Sequence, residues 1–327
     1  MSPAREIGND PQVNVGVLLP TRQAVMIARG GPASIGPVLQ MAEYVEGLGF
    51  DSVWIGDSIT AHPRFDCITT MAAVAARTRR VVVGSAVLLS ALRHPVVLAF
   101  QVANLDIVAD GRIILGVGVA AKTPSNERMF EACGVPFARR AGIFEEGLTV
   151  MRRLWREPSV TFEGKHFQLL DVRLEPRPAQ SGGPPLWIGG GSEPAIRRCG
   201  RLADGWFPTS RTPEDFAATY RRVQEHARAA GRDPSAIRSA LYITVNVNPD
   251  AAKAAREMET FHREYYGPEF EKITSVQGHA AGTAEQVAGA LRAFAAAGVE
   301  TLVLRLGAAD QTAQLERCAA HLLPRLR

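Results

Sequence analysis

A (β/α)8 TIM barrel with insertions near its C-terminal mouth is the fold the sequence predicts, and two observations carry that reading. Eight short apolar, β-branched runs recur along the 327 residues, and segments with helical spacing separate them. The runs are apolar almost throughout, as strands buried on both faces of a parallel sheet must be. Units of strand then helix repeated eight times in one domain close as a barrel, with a doubly wound open sheet as the alternative.

The runs, in order, are VNVGVLLP (13–20), DSVWIG (51–56), RVVVGSAVLL (80–89), RIILGVGV (112–119), PPLWIGG (184–190), ADGWFP (203–208), LYITVNVN (241–248) and ETLVLRLG (300–307). Between them PVLQMAEYVEGLG, HPVVLAFQVANLDIVAD and AEQVAGALRAFAAAG place apolar residues at i, i+3 and i+4, with Gly near their ends; this is the pattern of helices with one buried face. The first dozen residues, MSPAREIGNDPQ, read as a disordered lead-in to a single domain over 13–327. The alternation breaks at about 120–184, where VTFEGKHFQL alternates like a hairpin, and again at about 258–282. Insertions of this kind in a barrel cover or shape the mouth where its strands end.

Composition narrows the function. Hydrophobic residues make up 46% and charged residues 21% of the chain, which is globular rather than disordered. The net charge is only +4 and the arginines are scattered, with no basic stripe interleaved with aromatics, so no nucleic-acid partner is expected. Cys67, Cys133, Cys199 and Cys318 stand far apart, which argues against a disulfide framework or zinc site and for a reducing cytoplasm. The N-terminus lacks a signal-peptide pattern and no apolar run approaches membrane-spanning length, so no membrane partner is expected. The seven histidines lack metal-ligand spacing, and neither a nucleophile elbow nor a Walker loop occurs.

Two glycine clusters remain. GVGVAA (116–121) has the form of a dinucleotide fingerprint, but Lys122-Thr123-Pro124 follows, so no long helix opens there. Crowding at a strand end is the better account. In PPLWIGGGSEPAIRRCGRLADGW (184–206), Gly189, Gly190 and Gly191 form a turn and Ser192 stands ready to N-cap a helix. Ala195, Ile196, Cys199, Leu202 and Ala203 form that helix's apolar stripe. Its free N–H groups and positive dipole end suit a phosphate, and glycine lets an anion meet the main chain without a Cβ in the way. Arg197 or Arg198, one turn in, could add charge to such a site, though both suit a solvated face better, and Glu193 would repel an anion unless turned outward.

These stretches, with AEYVEGLGFDSVWIGDS, RHPVVLAFQVANLDIVADGRIILGVG and GVPFARRAGIFEEGLTVMRRLW, resemble the luciferase-like monooxygenase superfamily, and within it the F420-dependent oxidoreductase branch. The resemblance covers nearly the whole chain. It implies that Gly189, Gly190, Gly191 and Ser192 hold the phosphate of a deazaflavin. It also implies a non-prolyl cis peptide between Ser85 and Ala86 against the ring, with Gly118, Val119 and Ala120 along the ring's other edge. Coenzyme F420 is the implied cofactor, with FMN as the alternative. A homodimer and a separate flavin or F420 reductase are the implied partners.

The chain departs from relatives that oxidise sugar phosphates. Asp57-Ser58 stands where they carry Asp-His, and Ala121 where they carry Glu. Asp57 and His62 are then the candidates to steer or supply a proton, His62 being read equally as a plain loop histidine. His94, before Pro95, reads as structural, while Tyr265 and Tyr266 in the second insertion either reach the mouth or pack outside it. The expected activity is hydride transfer between reduced F420 and a small organic substrate. The alternatives are an FMN-dependent two-component monooxygenase and a non-catalytic flavin-binding barrel.

Overall fold

The computed structural model describes residues 13–22, 33–61 and 64–327. The expected lead-in (1–12) and His62 lie outside the described residues. The strands, in chain order, are β1 (Asn14–Leu18), β2 (Ser52–Ile55), β3 (Val82–Ser85), β4 (Ile113–Val117), β5 (Val160–Glu163), β6 (Gln168–Val172), β7 (Leu186–Gly189), β8 (Gly205–Phe207), β9 (Arg238–Val247), β10 (His279–Gly282) and β11 (Thr301–Leu306). Parallel pairing runs β1-β2-β3-β4-β7-β8-β9-β11 and returns from β11 to β1. Eight parallel strands with helices between them therefore close into a TIM barrel.

The three remaining strands lie in the irregular stretches. β5 and β6 form an antiparallel hairpin outside the barrel, as their alternating sequence suggests. β10 was not foreseen. The ten-residue β9 outlasts β8, which pairs only with Arg238 and Ser239, and β10 takes up the outer half at Thr244–Val247. A short HAAG run carries too little β-branched signal to announce such a strand.

Helix starts are chemically specified. Asp66, Thr212, Thr283 and Asp310 each accept a backbone N–H in the first turn of the helix they precede, and Thr283 with Gln286 forms a reciprocal capping box. At the strands' N-terminal face, Glu46 accepts the N–H groups of Arg79, Arg80 and Val81, and Arg112 donates to the carbonyls of Ala75, Thr78 and Val81. These contacts tie loop to helix on the face opposite the mouth, where conservation of shape matters more than chemistry.

The barrel interior is filled by aromatic side chains. Trp54 lies 5.5 Å from Trp187 and 5.0 Å from Phe207, ring centre to ring centre, with Leu18, Ala240 and Val303 packed around them. Room for the two indoles comes from glycine. A Cβ on Gly84 would enter the Trp54 ring, and one on Gly205 would meet Trp187. The mouth above this layer has a solid floor rather than a pore.

Candidate active site

The glycine turn after β7 lies at the mouth. Gly190 has φ +109°, a conformation that glycine alone adopts without strain. Trp206 Nε1 donates to its carbonyl at 2.9 Å, fixing the turn from the next strand. A Cβ on Gly189 would come within 3.2 Å of Val87 Cγ1, whereas one on Gly191 would meet nothing within 4 Å. The first two glycines are thus explained by the protein itself, and the third faces open space. Among the described residues, the N–H groups of Gly191, Ser192 and Glu193 donate to no protein group.

Ser192 occupies the N-cap position of the helix Glu193–Leu202, but its hydroxyl makes no capping bond. Pro194 at the second position has no N–H, and Ala195 N donates to the Ser192 carbonyl instead, so the expected side-chain cap has no donor. The apolar stripe is as expected, with Ala195, Ile196, Cys199 and Ala203 buried. Glu193 is turned outward, accepting from Arg222 and from His226 Nε2. Arg197 is exposed, but Arg198 corrects the expectation of a solvated face. It is buried and ion-paired with Glu145 at 2.8 Å, which anchors this helix on Arg140–Arg156.

The bulge beside β3 also requires a correction. The non-prolyl cis bond joins Ala86 to Val87, not Ser85 to Ala86. Ser85 is still in the ladder opposite Ile55, and Ala86 N still donates to the Ile55 carbonyl at 2.7 Å. The Ser85 hydroxyl is spent on the Gly116 carbonyl, 2.7 Å away, so the chain leaves the sheet one residue later than expected. Pairing resumes where Leu88 N donates to Gly116 O and Gly118 N to Leu88 O. Val87 then reaches across the mouth. Its two methyl groups lie against Gly118 and Gly189, so one side chain links β3, β4 and the glycine turn after β7. The glycines of GVGVAA are there because the strand end is crowded: a Cβ on Gly116 would strike the Ser85 carbonyl and one on Gly118 would lie 2.7 Å from Val87 Cγ2. The Val119 carbonyl is held by Arg140 Nε at 3.0 Å.

Asp57, just beyond β2, is deeply buried and fully engaged. Arg93 Nη1 donates to its Oδ2 at 2.6 Å and Arg93 Nη2 to its Oδ1 at 3.0 Å, while Leu89 N donates to Oδ2 at 3.0 Å. Burial alone would lower the Arg93 guanidinium, but the contacts with Asp57 more than reverse this and hold it charged. His94 is the N-cap of the helix Pro95–Val108, its Nδ1 accepting from Val96 N at 3.4 Å.

The far side of the mouth holds residues the sequence did not single out. Arg22 follows β1, Arg64 follows β2 and Arg305 lies on β11; together with Leu18, Gly56 and Tyr265 they border a recess of about 20 Å³. Tyr265 does reach it, and Tyr266 bonds Arg305 at its border. The Tyr265 ring has Arg22 4.5 Å and Arg305 4.7 Å from its centre, and Arg305 Nη1 donates to Tyr266 Oη at 2.6 Å. Burial would raise the Tyr265 phenol, but Arg64, Arg305 and Arg22 outweigh burial and leave it below its ordinary value. Burial dominates at Tyr242 and Tyr266, whose phenols are pushed up. A legible signal for Arg305 existed: it interrupts the otherwise apolar strand TLVLRL. Arg22 and Arg64 gave none, because two loop arginines look like any others.

A wider groove of about 480 Å³ lies between the helices Ala251–Tyr266 and Phe270–Thr274 and β10, lined by His262, His279, Met258 and Arg211. No strand-end glycine borders it. Among the described residues, no group of three or more His, Cys, Asp or Glu side chains could hold a metal ion, and no helix is long and apolar enough to cross a membrane.

Comparison with known proteins agrees with this architecture. The chain is 27% identical over 221 residues to the 5,10-methylenetetrahydromethanopterin reductase of Methanolobus tindarius, covering 67% of this chain and 64% of that one. It is 32% identical over 230 residues to the F420-dependent glucose-6-phosphate dehydrogenase of Kineococcus radiotolerans, covering 67% and 66%. The match thus spans just under two thirds of the length of these curated relatives. Among solved structures, an F420-dependent secondary alcohol dehydrogenase in complex with an F420-acetone adduct superposes with a TM-score of 0.80 at 22% identity, over 97% of this chain and 99% of that one. At that identity the likeness speaks to fold alone. The model of the luciferase-like monooxygenase family matches residues 13–320, and the chain belongs to that family.

Proposed function

We propose that the protein is an F420-dependent oxidoreductase acting on a small organic substrate. The observation that carries this reading is the open cradle at Gly191, where three unpartnered N–H groups meet at a helix N-terminus and a Cβ would fill only empty space. A phosphate-bearing cofactor fits there, and relatives named for F420 favour the deazaflavin. When bound, F420 supplies hydride transfer to or from carbon.

The chain's own residues bind and orient. Gly189, Gly190, Gly191 and Ser192 take the phosphate, and the Glu193 carboxylate is kept off that site by Arg222 and His226. Ala86, Val87, Gly118 and Val119 form the surface for the ring. Asp57 acts here as a positioning residue rather than a proton donor, because Arg93 and Leu89 N occupy its carboxylate and anchor the segment that carries Val87. The proton then falls to His62 or to a group at the mouth such as Tyr265. We further propose a cytoplasmic homodimer, supplied by a separate F420 or flavin reductase.

The family description favours one other reading, an FMN-dependent two-component monooxygenase. Fluorescence titrations of purified protein with F420 and with FMN, each oxidised and reduced, separate the two. Tight binding of F420 alone is expected. Preference for reduced FMN overturns the proposal and makes oxygen consumption the next assay; binding of neither points to a non-catalytic barrel.

A further inference from the structure

Three guanidinium groups converge on the mouth from three strand ends, and among the described residues no carboxylate pairs with them. Three sheltered arginines elsewhere are paired with acids, Arg93 with Asp57, Arg198 with Glu145 and Arg152 with Asp204, while Arg112 and Arg232 spend their donors on backbone carbonyls. Arg22, Arg64 and Arg305 have no ion pair among the described residues. Residues 23–32 and 62–63, which adjoin Arg22 and Arg64 in the chain, contain no Asp or Glu.

Arg305 is only 3% exposed. Its Nε and Nη2 both donate to Thr244 Oγ1, at 3.0 and 2.6 Å, and its Nη1 to Tyr266 Oη. A guanidinium carries five N–H donors, so these three bonds leave two free. The Nε atoms of Arg22 and Arg64 are buried without a hydrogen-bond partner. Burying charge without a counter-ion is costly, and three like charges around one phenol ring add repulsion to that cost. The fold tolerates the cluster through tyrosine faces and hydroxyls, which stabilise a cation without neutralising it. Among the described residues only the Tyr265 phenol, drawn down by the three arginines, answers part of this charge, and a ligand anion would supply the rest.

We infer that this recess takes the carboxylate head of an organic acid, and that the substrates of the proposed oxidoreductase are such acids; the second clause rests on that functional reading. The position is right for it. Arg64 lies against the Cα of Gly56, and the Ala86 carbonyl oxygen stands 3.7 Å from where a Cβ of Gly56 would be, so the cluster borders the bulge assigned to the cofactor ring. The recess is small, at about 20 Å³, which favours a compact planar anion over a bulkier one. Arginine matches a carboxylate in two-pronged geometry, which adds direction to the attraction.

Calorimetric titration with benzoate, benzamide and inorganic phosphate at constant ionic strength, with and without F420, tests this. Benzoate is expected to bind at least tenfold more tightly than benzamide or phosphate. Arg22→Met and Arg64→Met should each weaken benzoate at least tenfold while F420 affinity changes less than twofold, and Arg64→Lys should restore part of the loss. Equal binding of benzoate and benzamide overturns the inference, as do phosphate binding as tightly as benzoate and variants that bind benzoate unchanged. The titration without cofactor keeps the two questions apart: failure of F420 to bind sinks the F420-dependent reading, while benzoate preference still reports on the arginines.

Discussion

Asp57 and Arg93 form a two-pronged ion pair at 2.6 and 3.0 Å, with the carboxylate side chain 1% exposed. Arg93 also reaches Asp66, the cap of the helix Cys67–Arg77, at 3.2 Å. The pair therefore ties the end of β2, the segment 86–93 and a helix start into one unit directly beside the bulge.

Asp57→Asn should lower stability by about 3 kcal/mol, because it leaves the largely buried Arg93 with only the half-exposed Asp66 as counter-charge. Cofactor affinity should fall with it, since an amide offers one acceptor oxygen where Leu89 N and the two Arg93 Nη groups now share two. Thermal melts and cofactor titrations check this. A variant that keeps its melting temperature and its cofactor affinity but loses turnover would mean that Asp57 moves a proton after all. Arg93→Lys should fall between the two, retaining charge but not the paired geometry.

Gly191 and Gly190 should separate binding from folding. Gly191→Ala meets nothing within 4 Å, so its melting temperature should stay within about 2 °C while phosphate-bearing cofactors bind at least tenfold more weakly. Gly190→Ala forces a side chain into φ +109° and should cost about 1 kcal/mol or more of stability as well. An unchanged cofactor affinity in Gly191→Ala would remove this loop from the site.

The interior glycines make the opposite contrast. Gly84→Ala drives a Cβ into the Trp54 ring and should destabilise by about 2 kcal/mol or more. Gly47→Ala, at the end of the helix Gly36–Gly47 with nothing within 4 Å, should stabilise by about 0.5 kcal/mol. Chemical denaturation of the two variants measures both signs.

Strand order and the glycine turn were legible because continuous apolar runs and consecutive glycines are local signals. Thus β7 and the helix Glu193–Leu202 fall where PPLWIGGGSEPAIRRC indicates. What escaped depends on long-range register. The cis bond lies one residue beyond the expected place, and Ser85, still in the ladder, bonds Gly116, a partner 31 residues away. Asp57 looked like an available acid because its partner Arg93 lies 36 residues further on. Arg305 alone leaves a local trace, but its grouping with Arg22 and Arg64 does not, because barrel closure assembles the cluster from positions 22, 64 and 305.

His262 should make the fold acid-sensitive. It is 4% exposed, its Nε2 has no partner, and burial, with Arg305 and His279 nearby, pushes its imidazole down to about 3. His279, ring centre 5.8 Å away, is lowered by burial in the same sense. A histidine whose folded value lies below its unfolded value of about 6.5 stabilises fully above pH 6.5. Below that, the unfolded chain takes up a proton that the folded chain refuses, and stability declines continuously towards about pH 3. The loss attributable to His262 should reach a few kcal/mol at the acid end of that window. His262→Phe keeps an aromatic ring among Phe261, Tyr266 and Phe270 and removes the titration. Its stability should therefore fall less steeply between pH 6.5 and 4 than that of the parent, with His279 supplying the residual slope. Parallel slopes in the two proteins would show that His262 takes up its proton in the folded state, through water entering the groove beside it.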